Sequence, residues 1–212
     1  MVGWLDQLRT QVTVRSLLAL ATLVAALSCG GGGGSATAAA TTVAAVHQQS
    51  DSASNAEVLT QFRRSLGSPP VTLAGYSTRD SLVHAWVNAI NHSDRAALER
   101  LTLSRAEFAW LYYPDSPLAK PPYALDAETM WMQIRSRSDR GATRALREYD
   151  AGRLAFTGYR CEPKPMQSGA LTMWNACVVT HDYNGGSLSE PLFGSIIERD
   201  GVFKFVGLSN RL

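Results

Sequence analysis

The sequence predicts an α+β fold, with helices first and an antiparallel sheet packed on them afterwards. Three observations carry that expectation. Between residues 76 and 149 apolar side chains recur every three or four positions, and after Gly152 they recur every second one. Asp200-Gly201 and Gly185-Gly186 are spaced as two-residue hairpin turns between such alternating runs. A chain of 212 residues has room for one domain with appendages rather than for two full domains.

Each element has its own signal. Ser77 and Asp80 form a capping box for a helix reaching about Asn91, whose stripe is Leu82, Trp86, Ala89 and Ile90, widened by Val83 and Val87. A short helix follows over Asp94–Leu101. Ser104 with Glu107 makes a second capping box ahead of Phe108, Leu111 and Tyr112. The four prolines within residues 114–124 exclude regular structure there. Asp126 opens a long helix to about Tyr149 with the stripe Trp131, Ile134, Ser138, Ala142, Ala145, Tyr149. Gly141 costs that helix about 1 kcal/mol against alanine and is expected to mark a kink. Strands are predicted over 154–161, 171–182, 192–199 and 202–208, in an antiparallel meander.

Residues 1–28 read as an export signal. Arg9 and Arg15 precede or open the apolar run Ser16–Leu27, about 12 residues long, which falls short of the roughly 20 needed to cross a bilayer. The string AALSCGGGGGS then resembles the lipobox of bacterial lipoproteins, which implies cleavage after Ser28 and a lipid on Cys29. Ala26 stands where that family most often has leucine. An ordinary cleaved signal, or an uncleaved anchor starting at Val12, are the other readings. Without Arg9, Arg15 and Asp6 the chain keeps 18 basic and 17 acidic side chains, so the lipid and not the charge would hold it on a membrane. The implied location is the cell envelope, membrane-anchored, on the periplasmic or outer face.

Residues 29–75 are expected to be a flexible, lipid-anchored linker. Gly30–Gly34 and the Ser, Ala, Thr and Val of residues 35–45 bury too little to offset the entropy of ordering. About 40 such residues span roughly 35 Å as a coil. Ala56–Leu66 has a helical stripe in Val58, Leu59, Phe62 and Leu66, and Gly67-Ser68-Pro69-Pro70 is expected to separate that piece from the domain at 76–212.

The order of a long amphipathic helix, a short one, another long one and a closing set of hairpins is similar to the nuclear transport factor 2-like, or SnoaL-like, cone. The segment FGSIIERDGVFKFVGLSNRL carries the resemblance best. It implies a curved sheet wrapped against the helices, with an apolar pocket at the open end. That fold serves isomerases, dehydratases, cyclases, transport adaptors and non-catalytic subunits, so it leaves the function open.

The chemistry-bearing residues are few. Cys161 and Cys177 lie on consecutive predicted strands, and a pairing sum of 338 sets them opposite each other, with Tyr159 facing Val179 and Thr157 facing His181. In an exported chain a disulfide is expected, closing a loop of about 15 residues for roughly 3 kcal/mol. Trp86, Tyr112, Trp131, Tyr159 and His181 are the candidate pocket residues, His181 being the one candidate general base among them. His181 and its neighbour Asp182 point to opposite strand faces, and an acid–base pair of the isomerase kind cannot be placed residue by residue. Arg137, Arg140, Arg144 and Arg147 share one helix face, either a docking face for acidic groups or a solvated surface.

A net charge of +2 gives no footprint for nucleic acid, and no cysteine–histidine spacing suggests zinc or another cofactor. The expected function is non-catalytic binding of a small apolar ligand or an envelope protein. A small acid–base enzyme, and a structural accessory subunit that pairs through its open sheet face with itself as a homodimer or with another envelope protein, are the alternatives.

Overall fold

The computed structural model describes residues 54–149 and 154–209. The expected signal peptide, the expected lipid site Cys29 and the expected linker up to residue 53 lie outside the described residues. Helix α1 covers 54–64, α2 Arg79–Asn91, α3 Arg95–Arg100, α4 Arg105–Glu107 and α5 Ala127–Tyr149. The strands are β1 Ala155–Arg160, β2 Met166–Ser168, β3 Leu171–Trp174, β4 Val178–Tyr183, β5 Gly186–Glu190, β6 Ile196–Arg199 and β7 Val202–Phe205. The class is α+β, helices on antiparallel sheets. Among the described residues no helix is long and apolar enough to cross a membrane.

The sheet differs from a single meander. It is divided into a three-stranded sheet ordered β1-β4-β5 and a four-stranded sheet ordered β2-β3-β6-β7, every pair antiparallel. The predicted strand 171–182 is broken between β3 and β4, because Ala176 takes a φ of 46° and sends the chain from one sheet into the other. At that break the Cys161–Cys177 disulfide ties the end of β1 to the start of β4, and the Glu162 amide donates to the Asn175 carbonyl at 3.0 Å. The predicted partners Tyr159 and Val179 are opposite, but a bulge between Phe156 and Gly158 places Phe156, not Thr157, against His181. Asp200-Gly201 is a hairpin turn with both residues at positive φ. The other predicted turn sits one residue earlier, at Asn184-Gly185.

Helix starts follow local chemistry closely. Ser104 and Glu107 form the full reciprocal capping box. Asp94 caps α3, and Asp126 accepts the Thr129 amide at the head of α5. For α2 the cap is Thr78, whose hydroxyl accepts from the Ser81 amide, and not Ser77. Asp80 is engaged elsewhere, accepting the Tyr159 hydroxyl at 2.7 Å. The proline-rich stretch holds two 3-10 turns, Tyr113–Asp115 and Pro117–Ala119. Before them, α4 runs into a π-helical turn at Phe108–Tyr112. Its Ala109 and Leu111 carbonyls accept guanidinium donors from Arg63 and Arg199, at 2.8 and 2.7 Å.

Two apolar clusters make the interior. One joins α2 and the second half of α5 to both sheets, with Trp86 edge-on to Phe193 and Phe193 against Phe205. The other joins α1, the π-helical turn and the first half of α5 to β3 and β6. Residues 54–75, expected as the last part of the linker, therefore pack on the domain. Phe62 is buried edge-on to Phe108, Arg63 lies over the Trp110 ring, and Leu73 is buried. Tyr76 bridges to Phe203 of β7. The boundary at residue 75 does not separate two bodies here.

Helix α5 runs unbroken through Gly141. The glycine serves a close approach, since a Cβ there would overlap the Leu208 carbonyl. Beside it the Leu208 amide donates to the Ser138 hydroxyl at 3.2 Å. These contacts clamp the segment after β7 onto the middle of α5.

Candidate ligand cavity

The clamp leaves a cavity of about 370 Å³ between α5, the 3-10 turn at Pro117–Ala119 and the four-stranded sheet. Helix α5 contributes Met130, Gln133, Ile134, Arg137 and Ser138, one face of the helix at three- and four-residue spacing. Met166 and Met173 come from β2 and β3, and Ser195 and Val206 flank β6 and β7. Tyr112 enters from the end of the π-helical turn. Leu118 and Met166, both 38% exposed, are large apolar side chains on the cavity lining that also meet solvent.

The lining carries no carboxylate, imidazole, thiol or lysine. Its phenol, Tyr112, is held above the ordinary tyrosine value, chiefly by burial and against a smaller downward pull from Ser116, so it stays a neutral hydroxyl. Asn175 is oriented by the Ser195 hydroxyl, which donates to its Oδ1 at 2.7 Å. Chemically the site offers a soft apolar wall, a few neutral hydrogen-bonding groups and one guanidinium. Among the described residues no group of three or more His, Cys, Asp or Glu is placed to hold a metal ion.

Of the five predicted pocket residues, only Tyr112 lines this cavity. Trp86 is core, wholly buried against Phe193. Trp131 packs on Phe108 and borders a more open groove beside Lys204. Tyr159 ties β1 to α2 through Asp80. Burial first, then that hydrogen bond and charge, push its hydroxyl up to about 12.

His181 does meet acid–base partners, though not Asp182 as a side-chain partner. Its Nε2 lies 2.9 Å from Glu190 Oε1 and 3.3 Å from the Tyr149 hydroxyl, which also donates to Glu190. Burial, then the bond and charge of Glu190, hold the Tyr149 hydroxyl far above its ordinary value. Burial alone would raise Glu190; the hydrogen bonds from Tyr149 and His181, with the charges of His181 and Arg144, bring it below its ordinary value. None of the three lines the cavity. They fasten the end of α5 to β4 and β5.

The arginine face is divided. Arg137 lines the cavity, whereas Arg140, Arg144 and Arg147 border a shallow groove of about 300 Å³ with Asp139 and Thr143. Arg144 also reaches the Pro191 carbonyl at 3.4 Å, beside the Tyr149–His181–Glu190 cluster. The cavity residues that the sequence does not reveal are the methionines. Met130, Met166 and Met173 are far apart in the chain and share no periodic signal. No family model, curated protein or solved structure matches the chain.

Proposed function

We propose that the chain is an envelope lipoprotein, held to a membrane by acyl chains on Cys29, whose folded domain is a non-catalytic module for a small apolar ligand. The observation that carries this reading is the cavity. Its volume of about 370 Å³ is that of a small-molecule site, with room for about a dozen waters, and its walls are mostly apolar. Acid–base catalysis most often uses a histidine, a carboxylate, a lysine or a thiol within reach of the substrate, and the lining supplies none of these. The helix-on-sheet class agrees with the cone-like reading. The short apolar run followed by Ser28-Cys29 and glycines supports the anchor.

Two other readings have their own observations. The Tyr149–His181–Glu190 cluster is the acid–base chemistry an enzyme would use. Strand β5, at the edge of its sheet with Leu188 exposed, is what an accessory subunit would pair through.

Native mass spectrometry of the full chain taken from its own membranes tests both halves of the proposal. The expected spectrum shows a covalent acyl mass on the peptide containing Cys29 and a separate mass lost on activation. An unmodified Cys29 removes the anchor, and a bare domain at dimer stoichiometry moves the function to the accessory subunit.

A further inference from the structure

We propose that the cavity takes an anionic amphiphile, a carboxylate on an unbranched apolar chain, with Arg137 as its counter-ion; this rests on the ligand-binding reading above. Arg137 is the one charged side chain on the lining. Among the described residues no group accepts a hydrogen bond from it or pairs with its charge, while Arg135, Arg140 and Arg144 on α5 each have a partner, the Arg144 Nε alone being buried without one. Arg135 pairs with Asp139 at 3.6 Å, Arg140 donates to Ser136, and Arg144 donates to the Pro191 carbonyl. Among the described residues, this half-buried guanidinium beside an apolar wall is a fork of donors without an acceptor. A carboxylate fits that fork through two parallel hydrogen bonds, which a hydroxyl cannot make.

The walls suit the remainder of such a molecule. Met130, Met166 and Met173 are unbranched and polarizable, so they adapt to a flexible chain more readily than a rigid aromatic slot would. Ile134 and Val206 complete that surface, and Leu118 stands partly exposed beside it. No acidic side chain on the lining opposes an anion.

Calorimetric titration of the full chain with decanoate and with decanol, below their aggregation limits, separates the charged head from the chain. Decanoate is expected to bind more tightly than decanol. Arg137→Gln is expected to weaken decanoate about tenfold or more and to leave decanol unchanged. Arg137→Lys, which keeps the charge but not the fork, should recover part of the loss. Equal binding of the two probes, or an equal loss for both in Arg137→Gln, overturns the anionic ligand and leaves the cavity as a binding site. Binding of neither probe overturns the cavity reading as well. Should Arg137→Gln lower the thermal midpoint, the wild-type salt dependence decides: decanoate affinity that falls with added salt supports the ion pair, and affinity indifferent to salt overturns it.

Discussion

Glu107→Gln is expected to lower the thermal midpoint by roughly 10 °C or more, the equivalent of about 3–5 kcal/mol. Glu107 and Lys204 form an ion pair at 2.7 Å with both side chains 4% exposed. The carboxylate also accepts the Ala74 amide at 2.6 Å and the Ser104 amide at 2.7 Å. One side chain thus caps α4, fixes the segment before α2 and neutralises a lysine on β7. Glutamine keeps the size but leaves the Lys204 ammonium buried without its counter-charge. Adding Lys204→Met should recover much of the loss, because the pair and not the cap dominates it.

The same group sets a pH dependence. Burial alone would raise the Glu107 carboxyl, but the Lys204 hydrogen bond, the Ala74 and Ser104 amides and the Lys204 charge outweigh it and hold the group below its ordinary value. A carboxyl lowered on folding contributes stability that is full above the unfolded value, about 4.3, and is lost as pH falls through the folded one. Wild type should therefore exceed Glu107→Gln most at neutral pH, and the gap should shrink below about pH 4. Denaturant unfolding of both chains across that range measures it.

Gly141→Ala is expected to destabilise the fold by about 2 kcal/mol, although alanine in an open helix would add about 1 kcal/mol. The sign reverses because the added methyl meets the Leu208 backbone carbonyl, which cannot rotate away as a side chain would. Relief requires moving residues 207–209 from α5, and Gly207 and Ser209 line the cavity. The variant should lose ligand affinity together with stability. A midpoint at or above wild type in thermal unfolding would show that the clamp is absent.

What was legible in the sequence depended on the range of the interaction. The Ser104–Glu107 capping box spans three residues and reads directly. The pairing of Glu107 with Lys204 spans 97 residues and leaves no local trace. Period-two alternation runs through residues 171–182 without a signal at Ala176, so one predicted strand became parts of two sheets. The stripe of α1 was visible, but the Gly67–Pro70 break suggested detachment. Its docking rests on Phe62 packing against Phe108 and on Arg63 reaching the Ala109 carbonyl of the π-helical turn, contacts that no propensity marks. Aromatic side chains announce burial and not which space they fill, so Trp86, Trp131, Tyr159 and His181 fell outside the cavity while Tyr112 lined it. The methionine wall is assembled only by tertiary folding.

That wall also provides the most direct test of the central claim, that the space under α5 is where a ligand sits. The chain has five methionines, of which Met130, Met166 and Met173 line the cavity while Met132 is 61% exposed. Methyl-labelled methionine gives each its own NMR signal. On adding the ligand recovered from membranes, or decanoate, the signals of Met130, Met166 and Met173 should shift together and that of Met132 should stay in place. Shifts confined to Met132, or none at all while ligand is bound, would contradict the account.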